Sequence, residues 1–494
     1  MSRKLIALGL LTVVLVCTVV ACRRQRTSSN RVLSERLVAR IDYSSWIRQS
    51  FRVSPDRRRV AYILRARDKR RVVVGRKKGK AYEDVRLSIV FSPNGKRVAY
   101  VARAGKKDFA VVDGKEGKKY DDIGLRLGTI VFSPDSKRVA YVAAVGDKHL
   151  VVVNGREGKK YDRIVGGAIA FSPDSKRIAY GAQEGDTSFV VVDGKEGKPH
   201  DGIFRAVITF SPDSRRLAYA AQEGTKTFVV VDGEEGKRYD EIVTGTPRIG
   251  QAGGSAIVFS PDSRQVAYAA CVGKRPFGGK QFVVIDGQER KRYDGILRDS
   301  LTFSPDSRRV AYEADVSGLL PRFKGFIVED GREGKAYNGI ARGPVFSPDS
   351  QRLAYVGIAE RWLGFRTQMC AVVDGEEGKK YDYAGPILFS PDSKRVAYRA
   401  EQGKKNLVVV DGEEGKRYEV IWPRSLLFSP DGKRYAYVAG EGKKHFVVVD
   451  GEEGKRYDAI LVLWRENIVF DSPDRLHYLA GRGNRIYLVE ETIR

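Results

Sequence analysis

A Ser-Pro corner followed by Asp or Asn recurs eleven times in this 494-residue chain, and nothing else in the sequence limits the fold as much. Its prolines are Pro55, Pro93, Pro134, Pro173, Pro212, Pro261, Pro305, Pro348, Pro391, Pro430 and Pro473, at spacings of 38 to 49 residues. That period matches a four-stranded blade of a β-propeller. One unit, Ile169 to Ile203, reads "IAFSPDSKRIAYGAQEGDTSFVVVDGKEGKPHDGI". "IAF" is a short apolar strand ended by proline, which has no N–H to offer a ladder. Proline presets φ in the Ser-Pro-Asp-Ser turn, while Asp and Ser bond locally to the backbone. "RIAYGA" alternates as a second strand, and "FVVV" is β-branched and continuous, as a doubly buried strand requires. Asp193-Gly194 opens a hairpin, and the fourth strand is expected to end at the "YD-x-I" position, here His200 to Ile203.

Tyrosines follow the same period. Eleven of the 24 occupy the second-strand site, such as Tyr141 and Tyr180, and nine the "YD" site, such as Tyr120 and Tyr161. Such repetition predicts packing residues with hydroxyls at the rim. "FSPDSKRVAY" together with "VVVDGKEGKKYD" resembles the WD-repeat-like propeller repeat of bacterial TolB-type proteins, from about residue 43 to the C-terminus. The resemblance implies an all-β propeller of eleven four-stranded blades of about 40 residues, with a role at the cell envelope. TolB-type proteins carry a separate α/β domain ahead of the propeller, whereas here only about twenty residues separate the tether from the first blade.

The last unit stops after three strands. "IDYSSWI" (Ile41 to Ile47), with Tyr43 at the "YD" position, is expected to supply its missing fourth strand and so remove both sheet edges. Eleven blades exceed the usual four to eight, so the array is one wide ring or two fused propellers. The longest spacing, containing "TGTPRIGQAGGS" (residues 244–255), is the natural place for a split.

At the N-terminus, Arg3 and Lys4 precede an apolar run from Leu5 to Ala21, the layout of an export signal. The run ends Val19-Val20-Ala21-Cys22, which resembles a relaxed bacterial lipobox and implies a cleaved signal peptide (1–21), acylation of Cys22, a basic tether (22–40) and a propeller array (41–494). Several acyl chains on one residue would anchor stably. An uncleaved membrane anchor remains open, because the run approaches spanning length and Arg23, Arg24 and Arg26 follow it. An ordinary cleaved signal is the third reading.

Lys plus Arg exceed Asp plus Glu by 89 − 62 = +27, an excess that attracts anionic surfaces without specifying a fold. The turns of the repeats would form a basic ring on one face, and within "FSPDSKRVAY" only Lys137 and Arg138 have no structural task. The opposite face is expected to carry what differs between units: the 244–255 insert as a connection between blades, and the loops "CVGKRPFGGKQ", "DVSGLLPRFKG" and "GIAERWLGFRTQM". These hold Arg275, Phe277, Arg322, Phe323, Trp362, Phe365 and Arg366. Trp422 and Arg424 ("IWPRS") and Trp464 and Arg465 ("LWREN") lie in shorter connections, and Trp46 in the closing strand. Aromatic-plus-Arg clusters are typical of binding hot spots, and long loops on rigid scaffolds carry function. Mutual packing that plugs a wide channel is the competing reading.

Chemistry finds little support in the residue types. The four histidines (His149, His200, His445, His477) look scattered over non-equivalent positions, and no metal-ligand spacing, nucleophile elbow, P-loop or GxGxxG occurs. Cys271 and Cys370 read as small buried hydrophobes, and no disulfide framework or metal site can be built. The expectation is a monomeric, non-catalytic scaffold without cofactor, anchored to the envelope membrane and binding a protein or anionic polymer; nucleic acid is not expected. A hydrolase or lyase using channel carboxylates is the alternative.

Overall fold

The computed structural model describes residues 25–26, 31–124, 130–204, 208–243, 257–273, 279–297, 299–317, 323–362, 366–461 and 467–494, and among them there is no helix. Eleven antiparallel sheets form the blades of a β-propeller, numbered here by their Ser-Pro corners. In blade 2 the innermost strand a comes in two halves, Asp84–Val85 and Val90–Phe91, followed by b (Val98–Ala104), c (Lys107–Val112) and d (Lys115–Tyr120). Both halves of strand a pair with strand b: Val85 faces Ala102, and Phe91 faces Val98. The "YD-x-I" segment is therefore not the end of one blade. Strand d stops at its tyrosine, and Asp-x-Ile already begins the innermost strand of the next blade. Strand-forming residue types run unbroken through this crossover, so composition does not mark it.

The ten junctions from blade 1 to blade 11 repeat one packing scheme. The strand-d tyrosine lies edge-on to the strand-b tyrosine of the next blade, as in Tyr120–Tyr141 (ring centroids 6.3 Å) and Tyr418–Tyr437 (6.2 Å), with His200 taking the same place against Tyr219. Tyr161, Tyr239 and Tyr457 are among the largest fully buried side chains, and the Tyr161 hydroxyl donates to Glu196 at the rim at 3.0 Å. Edge-to-face pairs contribute about 0.5–1.5 kcal/mol each beyond area burial. The second glycine of "DGKEGKK" answers to this packing. A Cβ on Gly117 would sit 3.2 Å from the Ala110 carbonyl and 3.6 Å from the Tyr141 hydroxyl.

A buried hydrophobic cluster spans every junction, including blade 11 to blade 1. The cluster between blades 5 and 6 joins Ala220, Tyr239, Ile242 and Ile257 to Tyr268 and Val284 across the long spacing. Packing is continuous there, so the eleven blades make one closed ring with no split at 244–255.

Closure uses a different segment from the one expected. Arg31–Arg40 pairs antiparallel with the C-terminal strand Arg485–Ile493, from Arg31 opposite Ile493 to Arg40 opposite Arg485, and serves as strand d of blade 11. Most of the stretch assigned to the tether from residue 31 onward is thus part of the fold. Trp46 and Ile47 instead pair with Leu64 and Ile63 as the first half of strand a in blade 1, and Tyr43 is 56% exposed. The strand was hidden because "RVLSERLVAR" keeps only the glutamate, Glu35, of the Lys-Glu-Gly-Lys-Lys-Tyr pattern of the other d strands.

The string "FSPDSKRVAY" is accounted for almost atom by atom. Ser133 Oγ donates to Asp135 and accepts the Arg138 N–H at 2.9 Å. The Ser136 N–H donates to the Ser133 carbonyl at 2.8 Å, with Ser136 at φ 67°, a left-handed conformation that usually favours glycine. Serine is used because its Oγ accepts the backbone N–H of Asn94 in the preceding blade at 3.0 Å. Asp135 N–H donates in turn to Ser175 Oγ of the following blade at 2.9 Å. The same bridge recurs up to Asp349–Ser393.

Candidate binding face

Two surfaces were expected to meet a partner, and the ring geometry treats them differently. On the face of the Ser-Pro turns, Arg138 Nη1 donates to the carbonyls of Ser175 and Lys176 in the next blade at 2.9 and 2.7 Å, and its guanidinium lies 5.0 Å from the Phe171 ring centroid. Arg97, Arg177, Arg216, Arg309 and Arg352 repeat this arrangement. Arg138 is therefore not free for a partner, because it staples adjacent blades; Lys137 alone of the pair is exposed. The reason is geometric: a guanidinium offers several donors in one plane and stacks on an aromatic face, whereas an ammonium does not.

Lysines of strand d are likewise engaged. At ten of the eleven junctions a strand-d lysine meets a strand-d glutamate of the next blade at 2.5–3.2 Å, from Lys80–Glu116 to Lys455–Glu35. These partners hold the glutamates below the usual carboxylate range. Glu414, hydrogen-bonded by Lys379 and Arg417 against a small opposing effect of burial, falls to about 2. The turn arginines and one lysine of most d strands are thus engaged within the protein, while turn lysines such as Lys137 and Lys176 are exposed.

The opposite face, where strands b and c meet, is where blades differ. Strands b and c of blade 2 span 7 and 6 residues, but in blade 8 they run Leu353–Trp362 and Arg366–Val373, 10 and 8 residues, with Trp362 opposite Arg366. Blade 7 also has a lengthened hairpin, Val310–Ser317 and Phe323–Glu329, with Phe323 opposite Ser317. Backbone pairing thus places Phe323, Trp362 and Arg366 at the tips of two neighbouring hairpins that extend past the regular turns. Arg275, Phe277, Arg322, Phe365, Trp464, Arg465 and Cys22 lie outside the described residues.

Other candidates move to different places. Val420–Ile421 and Leu427–Phe428 are the two halves of strand a in blade 10, so Trp422 and Arg424 lie within the innermost strand and not between blades. Trp422 packs against the cluster between blades 10 and 11, 5.6 Å from the His445 ring, and its Nε1 is buried; it is a packing residue. Arg424 is exposed in the turn closed by Ser425, whose Oγ donates to the Trp422 carbonyl at 2.7 Å. Trp46 packs similarly at the ring closure. The 244–255 insert is flanked by Ile242, opposite Ala270, and Ile257, opposite Tyr268. The chain therefore leaves from and returns to the innermost strand of blade 6 on either side of it, while 244–255 itself lies outside the described residues.

Chemistry-bearing residues are occupied structurally. His149 and His445 prove equivalent: each follows the first lysine of strand c, bridges to the strand-d tyrosine, and bonds through Nδ1 to the carbonyl of the next residue, Asp162 or Asp458. Thr227 and Gln281 at that position likewise accept N–H groups of the crossing chain. Asp108, fully buried, has one oxygen on Arg103 and the other on Arg86, which also holds Asp122 at 2.9 Å. Just before each Ser-Pro corner the partly exposed position of strand a carries Arg52, Val90, Val131, Ala170, Thr209, Val258, Thr302, Val345, Leu388, Leu427 or Val469, and no carboxylate. Cys271 and Cys370 are buried free thiols, and burial pushes the Cys370 thiol up. No group of three or more metal-ligating side chains occurs among the described residues, and no helix among them is long and apolar enough to cross a membrane.

No protein-family model and no curated protein sequence matches the chain. Solved structures resemble it at low identity. A eukaryotic initiation factor aligns over 73% of this chain and 96% of its own, at 12% identity and TM-score 0.38. Tricorn protease aligns over 85% and 46%, at 12% and 0.28. The β-propeller domain of the trilobed protease from Pyrococcus furiosus aligns over 65% and 92%, at 15% and 0.25. The class that the geometry itself defines is an eleven-bladed, strand-closed β-propeller.

One departure from the repeat escaped the sequence reading: Asn338 stands where most units carry Asp or Glu after the strand-d tyrosine. Alignment of "YNGI" with the "YD-x-I" segments would have shown it.

Proposed function

We propose that this protein is a non-catalytic binding scaffold of the bacterial cell envelope, anchored through an acylated Cys22, whose partner docks on the b–c face of blades 7 and 8. One observation carries the binding part. The hairpins of these two blades are lengthened and carry Phe323, Trp362 and Arg366 at their tips, beyond the turns that close the b–c hairpins of the regular blades. A rigid ring with local extensions suits recognition, because little ordering entropy is lost when the scaffold is already fixed. The partner is a protein or an anionic envelope polymer, to which Arg366 offers a planar, bidentate donor.

Alanine at Phe323, Trp362 and Phe365 together is expected to abolish co-purification of the partner from envelope extract while leaving the melting temperature unchanged. Undiminished recovery rejects this face. Anchoring is tested separately by labelling with a radioactive fatty acid, where Cys22→Ala is expected to remove the label.

A further inference from the structure

The junction between blades 7 and 8 departs from a charge pattern found in five other blades. In blades 2, 3, 5 and 10 the first lysine of strand c pairs with the Asp after the strand-d tyrosine: Lys107–Asp121, Lys148–Asp162, Lys226–Asp240 and Lys444–Asp458, at 2.6–2.8 Å. Lys280–Asp294 does the same in blade 6. The second oxygen of Asp121, Asp162, Asp240 and Asp458 accepts a glycine N–H from the next blade's b–c turn, at 2.7–3.0 Å. In blade 7 the lysine is Lys324 and its opposite number is Asn338. The cause lies in blade 8, whose hairpin continues past the usual turn, so that the carbonyl of Ala359 replaces the glycine N–H. Asn338 Nδ2 donates to that carbonyl at 3.0 Å, which a carboxylate cannot do. Lengthening the hairpin thus removes the counter-charge of Lys324, which has no ion-pair partner among the described residues.

Space opens at the same point. A cavity of about 180 Å³ is lined by Lys324, Lys335, Lys380, Tyr337, Asn338 and Glu377, among others. Three glycines lie close-packed beside it. A Cβ on Gly325 would lie 3.1 Å from Gly339 Cα, and one on Gly357 would lie 2.6 Å from the Tyr337 ring, while Gly339 sits at φ 137°. The crossing chain is thereby drawn against strand c. Glu377 of the lining is held by Lys335 at 2.8 Å, so it does not stand in for the carboxylate that Lys324 lacks.

We propose that this cavity binds the carboxylate of a small organic acid, which takes the place beside Lys324 that an Asp of the chain holds in the other blades. The volume corresponds to about six water molecules, which suits a small acid. Lys324 directly follows Phe323, so the site adjoins the hairpin tips proposed to meet a partner, but its test does not depend on that partner.

The test is calorimetric titration of the whole protein at low ionic strength with succinate, with neutral succinamide and with inorganic phosphate. Succinate is expected to bind at one site and succinamide not at all. Lys324→Gln is expected to weaken succinate about tenfold or more, the loss of one charge-assisted hydrogen bond. Asn338→Asp, which supplies a carboxylate from within, is expected to weaken it similarly. Because that change sets a carboxylate against the Ala359 carbonyl, Lys324→Gln is the deciding variant, with melting temperature as the check on folding. Lys148→Gln, in a blade whose lysine is paired, is expected to leave the affinity unchanged. The proposal is overturned if Lys324→Gln binds as wild type, if Lys148→Gln weakens binding equally, or if phosphate binds as tightly as succinate.

Discussion

The junction that closes the ring and the ten that repeat around it solve one problem with different chemistry. In the repeated junctions tyrosine pairs and aliphatic side chains are buried, and most ion pairs lie on the rim, as with Lys118–Glu157, where the lysine side chain is 65% exposed; the buried Asp108 of blade 2 is an exception. Such pairs contribute about 0–1 kcal/mol each. Blade 11 places charge inside. Arg31 bonds Glu491 with the two side chains 3% and 1% exposed, and the Tyr478 hydroxyl donates to Glu491 at 2.5 Å. Burial beside Glu491 pushes the Tyr478 phenol well up, so it stays the proton donor. Onward to blade 1, His477 Nε2 meets the Asp56 carbonyl at 2.8 Å, and Arg58 bridges Asp471 and Glu490, both at 3.0 Å. A repeated junction is specified by chain continuity, since the next blade follows after a few residues. The closing strand arrives from the far end of the chain, and a buried ion pair is the device that best fixes its register.

That contrast can be broken experimentally, most severely at the buried pair. Glu491→Ala should destabilise the ring by about 3–5 kcal/mol in urea unfolding, because it strands a buried guanidinium, whereas Lys118→Ala should change stability by less than about 1 kcal/mol. Equal effects would dissolve the distinction. Next in size is the staple between turns. Arg138→Ala removes two hydrogen bonds from a charged donor and should cost about 1.5–3 kcal/mol, with Arg177→Ala matching it because the junctions are equivalent. A clear difference between the two would show that blades are less alike than their contacts. Smaller still is the bridging serine. Ser214→Ala deletes the acceptor for the Asp174 N–H and leaves a side chain at φ 67°, a loss of about 1 kcal/mol. Ser214→Gly should be milder, since it relieves that conformation.

The smallest effect is the pH dependence of the rim. Glutamates such as Glu157, Glu196 and Glu414 have carboxyls lowered in the folded state by their lysine partners, Glu414 to about 2. A depressed carboxyl contributes stability that is complete above its unfolded value and lost as pH falls through the folded one. Melting temperature should therefore hold at neutral pH and decline between about pH 4.5 and 2, with a smaller decline in high salt. A decline beginning near neutral pH would implicate histidines instead.

Much of this was legible in the residues. The corner, the "VVV" strand and the two tyrosine sites identify blade, strand order and blade count, because periodic residues face periodic surroundings. Boundaries were less legible. The Asp-x-Ile segment looks like the end of a strand, yet it starts the next blade, since which neighbour a strand pairs with is not written in its composition. Arg31–Arg40 was taken for a tether because its charges suggest solvent, and its burial depends on a partner strand about 450 residues away. Arg138 looked available beside Lys137 for the same reason: only the position of the neighbouring turn shows that one basic residue is used and the other is not. The hairpin candidates were well chosen as departures from the repeat, and Trp422 was not, because a tryptophan next to a proline reads as a loop residue until its packing is seen.

Sequence alone determined that this chain makes eleven like blades and where the likeness fails, because strand propensity, turn geometry and period are local properties. Tertiary structure decided that the ring is single, which segment closes it, which charges are already paired, and that a lengthened hairpin in blade 8 leaves Lys324 without its carboxylate. Those outcomes depend on groups that meet only when distant parts of the chain are brought together, and no local pattern encodes them.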